Sequence, residues 1–160
     1  MVIGIFGTIG SGKSTVAKII KKYFNFFILD CDQLGHEVIE LPSVKKELSA
    51  SFGDKICTEN GKISREILSQ IIFHDQEHKN KLESILWPKM TNKIQEIIQD
   101  HTNIVLDAAV LYQAKWNRFC SFTIYVQTSI ERVLAFQSAL DNLNHSEYQV
   151  CIDVYFVTDS

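Results

Sequence analysis

The sequence predicts an α/β fold, three layers deep, in which helices cover both faces of a five-stranded parallel sheet. Two observations carry that expectation. Five short runs, residues 2–6, 26–29, 104–107, 122–127 and 153–158, are apolar and rich in β-branched or aromatic side chains, as buried strands are. Helical patterns separate them, and apolar strands alternating with helices mark a parallel sheet covered on both sides. A length of 160 residues suits one domain with room for an insertion, since domains run to roughly 100–200 residues.

The first run leads straight into glycine. Gly4, Gly7, Gly10 and Gly12 fall within the first twelve residues, and none follows Gly61. Val16, Ile19, Ile20 and Tyr23 then keep the i, i+3, i+4, i+7 spacing of a one-sided helix. The second run is followed by Asp30 and Asp32, and a helix is expected over 33–41. From about 33 to 99 the patterns are helical, with no convincing strand. Ser64 is placed to cap a helix carrying Ile67, Leu68 and Ile71. Pro88 is placed to open another, carrying Ile94, Ile97 and Ile98. This stretch reads as a helical insertion between the second and third strands, with the core at about 1–32 and 100–160. At the C-terminal edge of a parallel sheet it would overhang the place where such folds bind ligands. After the fourth run, Ile130, Val133 and Leu134 begin a further helix.

Composition narrows the function. Hydrophobic residues make up 46% and charged residues 22%, the balance of a chain that buries a core rather than staying disordered. A net charge of −3 supplies no positive field for nucleic acid, and no aromatic–basic motif appears, so nucleic acid is not an expected partner. No apolar run reaches about 18 residues, so no membrane-spanning helix is expected. The apolar opening is too short for a signal-peptide core and has no basic leader. Cys31, Cys57, Cys120 and Cys151 form no CxxC pair and fit reduced thiols in a cytoplasmic protein.

Gly7-Thr8-Ile9-Gly10-Ser11-Gly12-Lys13-Ser14 matches G-x-x-x-x-G-K-[ST], the P-loop. The chemistry needs these residue types. Glycines let successive backbone N–H groups turn into one concavity that holds phosphate oxygens. The helix that follows adds its positive N-terminal end. Lys13 supplies a point charge to the β- and γ-phosphates, and the Ser14 hydroxyl suits Mg²⁺. The context is the one the motif requires, an apolar strand before it and an amphipathic helix after it. The expected architecture is therefore that of a P-loop NTPase.

Three further groups are weaker candidates. Asp30 and Asp32 follow the second strand, where a carboxylate could take a proton from an attacking hydroxyl. In an extended stretch their side chains would share a side, and Asp32 could equally cap the helix behind it. Asp107 ends the third strand, as the Mg²⁺-holding acid of P-loop proteins does, and as many unrelated strands do. The segment from His74 to His78 matches H-x-x-E-H, a zinc motif. It is strongly polar with no third ligand in view, so a solvated helix start is the expectation.

Longer stretches carry a resemblance. Residues 3–18 contain the P-loop and its flanks. They are followed by Leu29-Asp30-Cys31-Asp32-Gln33-Leu34-Gly35-His36-Glu37-Val38, Phe52-Gly53-Asp54-Lys55-Ile56, Gly61-Lys62-Ile63-Ser64-Arg65-Glu66-Ile67-Leu68, Ile72-Phe73 and Lys81-Leu82-Glu83-Ser84-Ile85-Leu86-Trp87-Pro88. In order and spacing these resemble the dephospho-coenzyme A kinases over nearly the whole chain. The resemblance implies ATP-dependent phosphorylation of the ribose 3′-hydroxyl of dephospho-coenzyme A, the last step of coenzyme A synthesis. It implies ATP and dephospho-coenzyme A as small-molecule substrates, a helical substrate-binding region and a short lid at about 136–150. Carried over by position, Asp32 is the catalytic base, and Gly10, Ser11, Gly12, Lys13, Ser14 and Thr15 hold ATP. By the same carry-over, His36 and Arg65 lie near the acceptor.

Several positions depart from the family pattern. Trp87 stands where histidine is usual. The family's P-L-L-x-E reads Ala109-Val110-Leu111-Tyr112-Gln113. Phe136 and Leu140 replace lid arginines, while Asp141 fits and Arg132 lies one turn earlier. The family would continue into a further helix after the fifth strand, where this sequence ends at Ser160. Lid arginines stabilise charge on the transferring phosphoryl group, so these departures bear on rate more than on ligand identity. Two alternatives stay open: another P-loop kinase acting on a nucleoside or nucleotide, and a nucleotide-binding protein with impaired transfer.

Overall fold

A computed structural model describes residues 1–8, 10–73 and 75–127 and the backbone of 153–157. Its elements run β1 (Val2–Phe6), α1 (Lys13–Phe24), β2 (Phe27–Asp30), α2 (Cys31–Ile39), α3 (Pro42–Phe52), α4 (Arg65–Phe73), α5 (Gln76–Asp100), β3 (Ile104–Asp107), β4 (Phe122–Gln127) and β5 (Asp153–Val157). The chain divides into two compact units, residues 1–31 with 101–160, and residues 32–100. The helix expected from Ile130 and the lid, with Arg132, Phe136, Leu140 and Asp141, lie outside the described residues.

The first unit is an α/β sheet in the order β2-β3-β1-β4-β5. Four strands are parallel: β1 pairs with β3 and β4, and β3 with β2. The expectation of five parallel strands fails at β5, which runs antiparallel to β4 with Gln127 opposite Asp153. The chain thus re-enters the sheet at the edge where β4 left it. A short apolar run reads the same in either direction, so the sequence holds no record of that choice.

Alternation along the strands divides the sheet's two faces. Ile3 and Ile5 join Val105, Ile124, Val126, Phe26 and Ala17 in one apolar cluster, on which Val16 and Ile20 pack. The buried stripe of α1 is therefore centred nearer Ala17 than expected, and Ile19 and Tyr23 lie on its exposed side. The opposite face carries Gly4. A Cβ there would sit 2.7 Å from Leu111 Cδ2 and 2.8 Å from Cys120 Sγ. Its absence lets the turn after β3 lie against the sheet, with Leu111 and Trp116 fully buried.

The second unit is helical. Val44, Leu48, Ile56 and Ile94 are completely buried in it. Pro42 opens α3, and Ser64 caps α4 as expected, its Oγ accepting from the Ile67 N–H at 3.4 Å. Pro88 opens no helix. It lies inside α5, which runs unbroken for 25 residues. An interior proline costs about 3 kcal/mol. Burial of Ile85, Met90 and Ile94, at about 1.5–3 kcal/mol per large side chain, offsets that cost.

Of the H-x-x-E-H segment, His74 lies outside the described residues, Asp75 stands just before α5, and Gln76, Glu77 and His78 begin that helix. Asp75 Oδ1 accepts from the N–H groups of Glu77 at 2.8 Å and His78 at 3.1 Å, and its Oδ2 meets the His78 ring. Among the described residues no cluster of three metal-ligating side chains occurs. The hydrogen bond from the His78 backbone N–H, then that of its ring, holds the Asp75 carboxyl below its ordinary range. A lowered folded-state pKa contributes stability above the unfolded value, lost as pH falls through the folded one. Asp75→Ala is therefore expected to lower the thermal midpoint at neutral pH. The difference should close as pH falls below the unfolded value of 3.8, whereas Asp75→Asn keeps an oxygen cap. Equal midpoints for wild type and the alanine variant across that range would show that the cap contributes nothing.

Candidate active site

The parallel strands end together. Register puts Asp107 beside Ile5 and Asp30 beside Asp107, so both carboxylates stand at the C-terminal edge of the sheet. The glycine-rich segment leaves β1 at that same edge. Gly12 turns at φ 94° to cap α1, and Gly10 lies at φ 79°, angles that favour glycine over any residue with a Cβ. Within the turn, the Gly12 carbonyl accepts from Thr15 at 3.0 Å and Val16 at 3.1 Å. The earliest N–H groups of a helix have no carbonyl of their own to bond, so those of Lys13 and Ser14, which open α1, are donors an anion can use. No acidic side chain stands in that first turn.

Ser14 Oγ donates to Asp107 Oδ2 at 2.9 Å across 93 residues of sequence. The two candidate Mg²⁺ ligands, read independently from sequence, thus meet. Asp107 is 7% exposed. A hydroxyl and a carboxylate side by side are hard oxygen donors of the kind Mg²⁺ takes. Lys13 Nζ reaches back to the Thr8 carbonyl at 3.5 Å, a weak bond that leaves the ammonium able to turn to an anion. Among the described residues, Ser11 Oγ is buried without a hydrogen-bond partner. Such an orphan costs free energy in an isolated protein.

Asp32, His36 and Arg65 lie in the helical unit. The helix α2 starts at Cys31, not 33, so Asp32 occupies its first turn rather than preceding it. Asp30 is the last residue of β2. The stretch is not extended, and the expectation that Asp30 and Asp32 point to one side by strand alternation lapses. Cys31, Leu34 and Val38 form the buried side of α2. Asp32 and His36 are exposed and four residues apart, hence neighbours on one face. Arg65 is exposed as the first residue of α4, where a cation gains nothing from the helix dipole.

One feature escaped the sequence reading. Phe6, Gly7, Thr8, Ala109, Tyr112, Gln113 and Tyr125 line a cleft of about 580 Å³ beside the loop. Its only signal in the sequence was the unusual Tyr112-Gln113 pair after the third strand.

The dephospho-CoA kinase family model matches residues 1–156. The chain belongs to the dephospho-CoA kinase family. A dephospho-CoA kinase of Fusobacterium nucleatum is 35% identical over 133 residues, covering 82% of this chain and 68% of that protein. One from Borreliella burgdorferi is 33% identical over 129 residues, covering 79% and 62%. The chain spans about two thirds of the length of these two relatives. Among solved structures, a Thermus thermophilus protein superposes with a TM-score of 0.74 at 27% identity, over 90% of this chain and 74% of that one. A dephospho-CoA kinase from Campylobacter jejuni shares the fold, with a TM-score of 0.59 at 22% identity over 89% and 73%. No helix among the described residues is long and apolar enough to cross a membrane.

Proposed function

We propose that this member of the dephospho-CoA kinase family transfers the γ-phosphoryl group of ATP to the ribose 3′-hydroxyl of dephospho-coenzyme A. The observation that carries this reading beyond family membership is the 2.9 Å contact between Ser14 and Asp107. It joins a phosphate-loop serine to a strand-end carboxylate, as a nucleotide-triphosphate site requires. In this reading the segment is a P-loop on a three-layer NTPase core, and Gly10, Ser11, Gly12, Lys13, Ser14 and Thr15 hold the triphosphate. Ser14 and Asp107 would hold Mg²⁺, which when bound neutralises charge on the β- and γ-oxygens. Lys13 balances negative charge as it moves toward the leaving oxygen. Asp32 orients the attacking hydroxyl and accepts its proton. His36 and Arg65 contact the acceptor, residues 32–100 form its binding region, and 136–150 the lid. The cytoplasm is the proposed location, in keeping with Cys31, Cys57 and Cys120 standing outside any disulfide.

The test is ADP release with dephospho-coenzyme A, adenosine and nucleoside monophosphates offered in parallel. Dephospho-coenzyme A is expected to be the preferred acceptor. Preference for a nucleoside or nucleotide would replace this reading with a different kinase, and ATP binding without turnover on any acceptor would leave only a nucleotide-binding protein. In the same assay, Asp107→Asn is expected to raise the Mg²⁺ needed for half-maximal rate by about tenfold or more, since losing even an outer-shell partner of a metal costs about 10–100-fold in affinity. An unchanged Mg²⁺ dependence would remove Asp107 from the metal site.

A further inference from the structure

The cleft beside the loop has a chemistry of its own. None of its seven lining residues is charged. Three are aromatic and touch in series: Phe6 meets Tyr112 edge-on at 4.8 Å between ring centroids, and Tyr125 at 5.0 Å. Phe6 and Tyr125 are register partners on adjacent strands, which fixes two of the rings on the sheet. Tyr112 is held by its hydroxyl, 2.9 Å from Thr123 Oγ1, and Thr123 is 1% exposed. Gln113, next to it, is exposed. Its amide can donate and accept at once, the pattern that pairs with an adenine edge. The volume of about 580 Å³ is ample for a nucleoside, within the usual range of small-ligand sites. Gly7 and Thr8, at the cleft's border, belong to the loop itself. A neutral, ring-walled cleft touching an anion-binding loop suits a molecule with a flat uncharged ring at one end and phosphate at the other.

We propose that this cleft seats the adenine ring of a nucleotide substrate, with Tyr112 and Gln113 setting its specificity. The identity of the nucleotides rests on the kinase reading above. Both ATP and dephospho-coenzyme A carry adenine, and the experiment separates them. Tyr112→Leu, Tyr112→Phe and Gln113→Glu are titrated calorimetrically with ATP, dephospho-coenzyme A and 4′-phosphopantetheine, alongside thermal melts. Removing the ring is expected to weaken one adenine compound about fivefold or more, the scale of a lost base–aromatic stack. Tyr112→Phe, which keeps the ring, should bind as wild type does. Gln113→Glu keeps the size but loses the donor, and should weaken the same compound. Loss for ATP assigns the cleft to the donor's base, and loss for dephospho-coenzyme A alone assigns it to the acceptor's. If 4′-phosphopantetheine weakens equally, the cleft holds the chain of the acceptor and the proposal fails. It also fails if no affinity changes. Should Tyr112→Leu fold poorly through loss of its Thr123 bond, the exposed Gln113→Glu variant decides by the same criteria. Binding needs no turnover, so a wild-type protein that binds ATP but phosphorylates nothing removes the kinase reading and leaves this one testable.

Discussion

Asp32→Asn is expected to lower turnover by roughly 10²–10⁴, the range that a positioned general base contributes, while ATP binding survives. The attacking hydroxyl in phosphoryl transfer needs orientation more than early deprotonation, because the transition state is loose. A carboxylate about 3 Å away holds the hydroxyl and accepts its proton late. Asparagine keeps the size and one acceptor oxygen but removes the charge that receives the proton. The substitution sits on the exposed side of α2, away from Cys31, Leu34 and Val38, so the melting temperature should hold. Asp30→Asn is the necessary comparison. Asp30 belongs to the sheet, opposite Asp107 in register, and Asp32 to the helical unit. A large loss for Asp30 with little for Asp32 would move the base to the strand end. Small losses for both would remove general-base catalysis by this pair.

Lys13→Ala is expected to reduce turnover by about a hundredfold or more. Lys13 is the sole cation of the P-loop motif, at the N-terminal start of α1. Charge-assisted bonds to phosphate oxygens are about twice as strong as neutral ones. They strengthen as charge accumulates on the leaving oxygen, so the loss should fall on kcat as well as on ATP binding. Folding should be little affected, since among the described residues the ammonium makes only a 3.5 Å bond to the Thr8 carbonyl. Alanine is also a better helix former than lysine. Stopped-flow turnover at saturating ATP, with a melt of the same preparation, checks both halves. Near-normal turnover would show that phosphoryl transfer takes place elsewhere.

Local physics made much of this protein legible in its residues. A phosphate loop needs glycines where φ is positive, and Gly10 and Gly12 are such places. Strands in a covered sheet need continuous apolar runs, and all five lie within a residue of where those runs put them. Ser64 caps its helix through a bond within one turn. Each of these signals is complete within a few neighbouring positions. What the tertiary structure alone decided depends on positions far apart. The direction of β5 is set by the edge at which the chain returns. Pro88 stays helical because side chains on either side of it are buried. Asp30 and Asp32 part company because β2 gives way to α2 between them. Ser14 finds Asp107 only because parallel pairing of β1 with β3 sets their ends side by side. The aromatic cleft draws on β1, β4 and the turn after β3. No periodicity records such a meeting, because the partners share no local pattern and come together only when the sheet forms.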